Sequence, residues 1–354
     1  MNDYLLQNSA YRPAQVIILG YFMYKSKITG MGFKVPDNII SNDDLSKIMD
    51  TSDEWIQSRS GIKERRWATE EVATSDLALS AANNAIKNAE INNKEIDLVI
   101  VGTLSSDYFF PGVSAQLQEK LNLNLIGAFD IKAACSAFIY SLSIADQYIK
   151  TGAAETILVV GAETQTKLIE KSSEGRDVAV LFGDGAGAIV LSADKSDSGI
   201  LSTHLHSEGK HAEELAVIKP ATSFWIDKII KDENEDGTGY APYMNGNFVF
   251  KNAVVRFEQV IFEALKHSKL KPDDISLLIP HQANLRISQF IQKRLGLSDD
   301  QVFNNIMKYG NTTAASIPIA LKEAIDQGKL KPGDILCLAA FGSGFTWASA
   351  LIRW

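Results

Sequence analysis

Along most of the chain, short apolar runs alternate with longer stretches in which apolar residues recur every three or four positions. Leu98–Val101, Ile157–Val160, Ala188–Leu191 and Leu277–Ile279 are continuous apolar runs, which predict strands buried on both faces. Leu77–Ala89, Ser136–Lys150, Val255–His267 and Ile317–Gln327 carry the helical period and predict amphipathic helices. The alternation is that of an α/β protein with buried sheets.

The pattern occurs twice. NAIKNAEINNKEIDLVIVGT and EALKHSKLKPDDISLLIPHQ both run from a helix end into a strand, 179 residues apart. CSAFIYSLSIADQYIKTG (Cys135–Gly152) and NTTAASIPIALKEAIDQG (Asn311–Gly328) form a second match, 176 residues apart. Each opens on a small or polar residue, continues as a helix, ends in glycine and enters a strand, Ile157–Gly161 or Ile335–Phe341. A duplication sets the architecture, and this one pairs Cys135 with Asn311 at the N-termini of two central helices. The halves span residues 23–205 and 244–354. Residues 206–243 connect them and contain KDENEDGTGYAP, a charged loop without periodicity: either a solvated surface loop or a cover over a substrate entrance.

A chain of 354 residues can bury a large core. A formal charge of −8 and few basic clusters argue against a nucleic-acid binder, and an acidic partner would need a local basic patch. The two cysteines, Cys135 and Cys337, lie too far apart in sequence to suggest a disulfide framework, so a reducing cytoplasm is expected. No apolar run reaches membrane-spanning length. Val16–Met23 follows Pro13 and Arg12 without the basic start or cleavage site of a signal peptide. Residues 1–22 therefore read as an extension outside the main fold, with Met23 a candidate natural start.

Cys135 carries the most informative chemistry. In IGAFDIKAACSAFIYSLSIADQYIK a short strand, Ala128–Ile131, leads through small residues into a helix, which puts the thiol at a helix start. Orphan N–H groups and the positive helix end stabilise a thiolate there, the form that accepts an acyl group. A lone cysteine in an apolar stretch also reads as a buried core residue, as Cys337 does in ILCLAAF. His281 follows a strand end at Ile279-Pro280 and precedes a helix over Gln282–Arg294; it suits acid–base or hydrogen-bonding work, or is a surface or core residue. Asn311, in KYGNTTAAS, is either a functional amide or a helix N-cap. What joins the three is that each lies at a strand-to-helix junction of a duplicated fold. FGDGAGA (Phe182–Ala188) is a tight turn entering a strand, the wrong context for a phosphate loop. FGSGFTW (Phe341–Trp347) follows a strand and lets backbone N–H groups approach a ligand, although turn geometry alone would also explain both loops.

AACSAF, PHQAN (Pro280–Asn284), YGNTTAAS, FGDGAGA, FGSGFTW and TSDEWIQSRSGIKER (Thr51–Arg65) together resemble β-ketoacyl-[acyl-carrier-protein] synthase III, over nearly everything from Met23 to Trp354. The resemblance implies a thiolase-like five-layered α-β-α-β-α fold, a homodimer, and a triad of Cys135, His281 and Asn311. It implies a ping-pong reaction in which Cys135 takes an acyl group from acyl-CoA. Malonyl-acyl carrier protein then binds and loses CO2, and its carbanion attacks the acyl-enzyme. By the same resemblance the backbone N–H groups of Cys135 and Ser343 hold the acyl-transfer oxyanion. The family commonly has glycine at the second position, so that donor depends on the backbone the serine adopts. Trp55 and Arg176 would flank the adenine of CoA, with Arg59 at the nucleotide end. Asn284, Gly246 and Phe250 would line the substrate path, and Phe110 would reach across the dimer to bound the acyl pocket. Lys251, Arg286, Lys293 and Arg294 would dock the acidic carrier protein. On the helix after His281 the last three share one side, opposite Ile287, Phe290, Ile291 and Leu295, and otherwise form a solvated face. No metal, resident cofactor, nucleic acid or membrane is implied; acyl-CoA is a substrate.

Two other readings stay open. One is a pathway-specific relative that primes a secondary metabolite or joins acyl chains. The other is a thiolase-fold acyl transferase or hydrolase that forms no carbon–carbon bond. Asn311 together with His281 favours decarboxylation over simple transfer. Acyl chain length depends on pocket depth near Phe110 and is left open.

Overall fold

The computed structural model describes residues 24–219, 221–223 and 242–354. The expected extension over residues 1–22, the candidate start at Met23 and most of the loop KDENEDGTGYAP lie outside the described residues.

One sheet holds β1 (Lys25–Lys34), β2 (Leu98–Gly102), β3 (Gly127–Ile131), β4 (Thr156–Glu163) and β5 (Gly185–Asp194), in the order β1-β5-β4-β2-β3. A second holds β6 (Gly199–Ser207), β7 (Leu277–Pro280), β8 (Ile335–Gly342) and β9 (Thr346–Arg353), in the order β7-β8-β9-β6. The registers repeat: Leu98 faces Ile157 as Leu277 faces Leu336, and Ile157 faces Leu191 as Leu336 faces Ile352. Where the first sheet has β3, the second has a single bridge between Leu278 and Val302. β6 hydrogen-bonds to β9, so the chain enters the second sheet at Gly199, ahead of the boundary expected at residue 205.

Among the described residues the helices of eight residues or more are α1 (Asp53–Ser60), α2 (Thr74–Asn88), α3 (Val113–Lys120), α4 (Ala137–Lys150), α5 (Gly246–His267), α6 (Leu285–Leu295) and α7 (Ser316–Asp326). Leu77, Ala81 and Leu117 of α2 and α3 pack on Val99, Val101 and Val160 of the first sheet. Phe257, Ile261 and Ile291 of α5 and α6 pack on Leu278, Cys337 and Leu351 of the second. Between the sheets, Phe138 and Leu142 of α4 and Ile317 and Leu321 of α7 meet Ile100, Val159, Leu338 and Ala350. Strand alternation explains the division, with Ile100 turned inward and Val99 and Val101 outward. Each large apolar side chain so buried contributes about 1.5–3 kcal/mol. The result is the expected five-layered α-β-α-β-α fold, with Cys337 an inert member of an outer core.

Two boundaries differ from expectation. α5 starts at Gly246 rather than Val255, because Asn245 caps it and its first turns are only partly buried, which hides them from the apolar period. α6 starts at Leu285 rather than Gln282, because the Asn284 side chain accepts from Arg286 N at 2.9 Å.

The structure also corrects the pairing of the halves. Ala134 (φ 48°) and Thr313 (φ 50°) are left-handed residues that open matching turns, Ala134–Ser136 and Thr313–Ala315. They are 179 residues apart, like the strands, so Cys135 corresponds to Ala314 and not to Asn311. The 176-residue match follows the helix C-termini, because α7 has 11 residues where α4 has 14. The same 179-residue offset sets His281 opposite Gly102 and Gly342 opposite Glu163. The halves therefore differ most at the strand ends, where ligands of such sheets bind.

Candidate active site

Cys135 lies in the turn between β3 and α4 and is buried. That turn packs against β8 and against the turn Thr313–Ala315, with Ala133, Ala137 and Ala314 in contact. A Cβ on Gly342 would sit 2.8 Å from Cys135 N and 2.9 Å from its Cβ, so only glycine fits there. Thr346 Oγ1 lies 3.1 Å from the carbonyl oxygens of both Ala133 and Ser343, and Ser136 Oγ donates to Thr346 O at 3.1 Å. The FGSGFTW loop is thus tied to the Cys135 turn. Ser343 needs no left-handed backbone, and its hydroxyl donates to Leu215 O in the short strand Leu215–Ala216, which pairs with Tyr243–Met244. A serine therefore fits this loop without strain.

The expectation of a resting thiolate is corrected. Burial pushes the Cys135 thiol up to about 12, the charge of Glu163 adds to the shift, and a hydrogen bond from the residue's own backbone only partly offsets it. Desolvation outweighs the helix end because Cys135 precedes the first turn of α4 in a dry turn. Glu163, fully buried at the end of β4, accepts from Leu104 N and Ser105 N at 3.1 Å and from Ser105 Oγ at 2.5 Å. Burial still lifts its carboxyl to about 7. No role was assigned to Glu163 from sequence, although a carboxylate ending an apolar strand is a visible signal.

His281 is 3% exposed, and its Nδ1 lies 2.6 Å from Ser316 Oγ while Nε2 is buried without a partner among the described residues. Burial pulls its pKa down to about 3, so the ring is neutral. Gln282 braces it: its Nε2 donates to Pro280 O at 2.6 Å, and its Oε1 accepts from Asn305 N and Ile306 N. That side chain joins the His281 turn to the segment leading into Asn311. Asn311 Oδ1 accepts from Thr313 N at 2.9 Å, which turns the Nδ2 donor the other way. The cap-like bond and a functional amide are therefore compatible.

FGDGAGA has a use beyond its turn. Asn311 N donates to Leu181 O at 2.7 Å and Gly183 N donates to Asn311 O at 3.1 Å. A Cβ on Gly183 would sit 2.1 Å from Tyr309 O, so the two loops interlock only through glycine. Arg65 lies fully buried beside them and donates to Asn42 Oδ1 at 2.7 Å and Val180 O at 2.8 Å.

The expected binding residues are farther out. The Arg59 and Arg176 guanidinium carbons lie 4.3 and 5.1 Å from the Trp55 ring centre. A base stacked between Trp55 and Arg176 needs about 7 Å, two van der Waals contacts, so the pair must part to admit one. Asn284 uses both ends of its amide, donating to Arg59 O at 2.9 Å and capping α6. Gly246 opens α5 and is exposed, and Arg286 lies 5.7 Å over the Phe250 ring. Lys251 and Lys293 are exposed, whereas Arg294 closes on Glu258 at 2.7 Å. On α6, Ile287, Ile291 and Leu295 are buried as expected, but Phe290 is partly exposed. Phe110 is 79% exposed, beside exposed Tyr108 and Phe109. Among the described residues no cluster of His, Cys, Asp or Glu is placed to hold a metal ion, and no helix is long and apolar enough to cross a membrane.

Residues 129–209 match the family model of 3-oxoacyl-[acyl-carrier-protein] synthase III, and residues 265–354 match the model of its C-terminal part. A β-ketoacyl-[acyl-carrier-protein] synthase III from Xanthomonas campestris pv. campestris is 47% identical over 330 residues, 93% of this chain and 98% of that protein. The crystal structure of 3-oxoacyl-[acyl-carrier-protein] synthase III from Aquifex aeolicus superposes with a TM-score of 0.85 at 43% identity, over 93% of this chain and 100% of that one. The Thermus thermophilus synthase III structure gives 0.86 at 41% identity, over 93% and 99%.

Proposed function

This chain belongs to the β-ketoacyl-[acyl-carrier-protein] synthase III family, and from that premise we propose how Cys135, His281 and Asn311 divide its reaction. It is an acyltransferase that condenses an acyl-CoA primer with malonyl-acyl carrier protein and so initiates fatty acid synthesis. The observation that supports the division of labour is a pair of polar groups left to donate. His281 Nε2 is buried without a partner, and Asn311 has its oxygen occupied and its NH2 left to donate.

In the first half-reaction the Cys135 sulfur attacks the thioester carbonyl, the bond to the CoA sulfur breaks, and CoA leaves as its thiol. A neutral thiol enters and a neutral thiol leaves, so the proton released by Cys135 ends on CoA. The oxyanion is held by backbone N–H groups of Cys135 and Ser343. In the second half-reaction the malonyl carboxylate leaves as CO2 and its electron pair moves onto the thioester oxygen. His281 Nε2–H and Asn311 Nδ2–H donate to that oxygen, and a neutral pair suffices because decarboxylation needs no base. The carbanion attacks the acyl carbonyl, and the departing Cys135 sulfur takes one proton from solvent. The thioesters and CO2 loss supply the driving force, so no cofactor is assigned, and the work is placed in the cytoplasm, where thiols stay reduced.

Incubation with acyl-CoAs of increasing chain length, followed by malonyl-acyl carrier protein, tests this reading. An acyl mass on the Cys135 peptide and a β-ketoacyl product are expected. Acylation without product for every primer would support the transferase reading instead.

The carrier protein is assigned to the face of Lys251, Arg286 and Lys293, with Arg294 held back by Glu258. The same family reading assigns a homodimer. β3 is an edge strand, and Phe109, Phe110 and Leu125 are 75%, 79% and 95% exposed nearby, the signature of a covered edge. Sedimentation equilibrium should give twice the 38.8 kDa of one chain, and a monomer at micromolar concentration would contradict it.

A further inference from the structure

We infer that Ser316 is a positioning residue that fixes the ring proton of His281 on Nε2. This rests on the reading of His281 as a hydrogen-bond donor to the developing enolate. Ser316 opens α7, and its hydroxyl lies 2.6 Å from His281 Nδ1. The backbone N–H of Gln282 donates to the same hydroxyl oxygen at 3.4 Å and occupies one of its lone pairs. Those are the contacts the hydroxyl makes among the described residues, and Gln282 N–H can only donate. The serine proton therefore has one acceptor, Nδ1. A ring that accepts at Nδ1 carries its own proton on Nε2.

The site is built to keep that arrangement. Ser316 is 2% exposed and His281 is 3% exposed, so no bulk water competes for Nδ1. Gln282, whose N–H fills the serine lone pair, is itself held at both ends of its side chain by backbone groups. Nε2, buried and without a partner, then presents a proton where the thioester oxygen gains charge. The other tautomer would present a lone pair to a developing anion and oppose the reaction. Ser316 also starts the helix that follows the turn Thr313–Ala315, so one residue aligns the imidazole with the segment carrying Asn311.

Ser316→Ala removes the donor to Nδ1. Condensation should fall about 10–100-fold, the range for losing the partner that orients a functional histidine. Acylation of Cys135 by acyl-CoA should change by less than about threefold, and KM for malonyl-acyl carrier protein should hold, because the loss falls on kcat. Ser316→Thr keeps the hydroxyl and should restore most of the rate. The direct readout is solid-state 15N NMR of microcrystalline wild-type enzyme labelled at its five histidines, with His281 identified by its absence in His281→Ala. The wild type should show His281 protonated at Nε2 alone, and Ser316→Ala should move proton density to Nδ1. A wild-type ring protonated at Nδ1, or a Ser316→Ala enzyme with unchanged tautomer and wild-type condensation, would overturn the inference. The wild-type spectrum depends on neither catalysis nor the folding of a variant. A ring protonated at Nε2 in both enzymes, with wild-type condensation in Ser316→Ala, overturns the role of Ser316 while the division of labour among Cys135, His281 and Asn311 stands. A wild-type ring protonated at Nδ1 overturns the donor role of His281 as well.

Discussion

Enzyme carrying Cys135→Ser gains no mass on exposure to acyl-CoA and makes no β-ketoacyl product. The expected loss is on the order of 10³-fold or more, the scale of removing the nucleophile from a covalent mechanism. The structure explains why oxygen cannot substitute. Cys135 sits in a buried turn against Gly342, and burial first and the charge of Glu163 second push its thiol up to about 12. A serine hydroxyl is a far weaker acid in the same place. His281 is neutral and is assigned a proton on Nε2, so that nitrogen offers no lone pair to take the serine proton. The same environment gives Cys135 a distinctive pH dependence. A raised thiol pKa means that the thiolate is the minor form throughout the neutral range and grows as pH rises toward 12. Alkylation of Cys135 by iodoacetamide should therefore climb about tenfold per pH unit between pH 7 and 10, following the thiolate fraction. A plateau near pH 8 would mean that the helix end wins after all.

His281→Ala and Asn311→Ala separate the half-reactions from the other side. Each should leave acylation by acyl-CoA intact and cut condensation by roughly 10²–10³, the cost of one donor to a developing oxyanion. The double variant should fall short of the product of the two losses, because both groups serve one oxygen. Burial holds the His281 pKa near 3, so its ring stays neutral at every pH above about 4. The His281 ring should therefore show no protonation near the ordinary histidine value of about 6.5 in pH-resolved 15N spectra, and protonation centred there would contradict a buried neutral ring.

Much of this was legible in the chain because it is written locally. Continuous apolar runs marked β2, β4, β5 and β7, and the 3.6-residue period marked α2, α4 and α7, because burial on one or both faces dictates those patterns. Cys135, His281 and Asn311 stood out because polar or reactive side chains at strand ends break an apolar rhythm. The pairing of Cys135 with Asn311 failed for an equally physical reason. The helix-to-strand match and the central-helix match gave two offsets, and only the φ angles at Ala134 and Thr313 show which one carries the fold. The charge state of the thiol was hidden because desolvation depends on everything packed around Cys135, not on its neighbours in sequence. Ser316 and Gln282 were hidden likewise. Ser316 reaches His281 across 35 residues, and Gln282 looked like the first turn of a helix that in fact begins at Leu285.

The central claim is that Cys135 carries the acyl group between two half-reactions and that His281 and Asn311 act only in the second. Its most direct test is the intact mass of Asn311→Ala enzyme loaded with acyl-CoA and then mixed with malonyl-acyl carrier protein. The acyl adduct should form at the wild-type rate and then persist, with little β-ketoacyl product. Discharge of the adduct into product at the wild-type rate, or failure of the adduct to form in a folded variant, would contradict it.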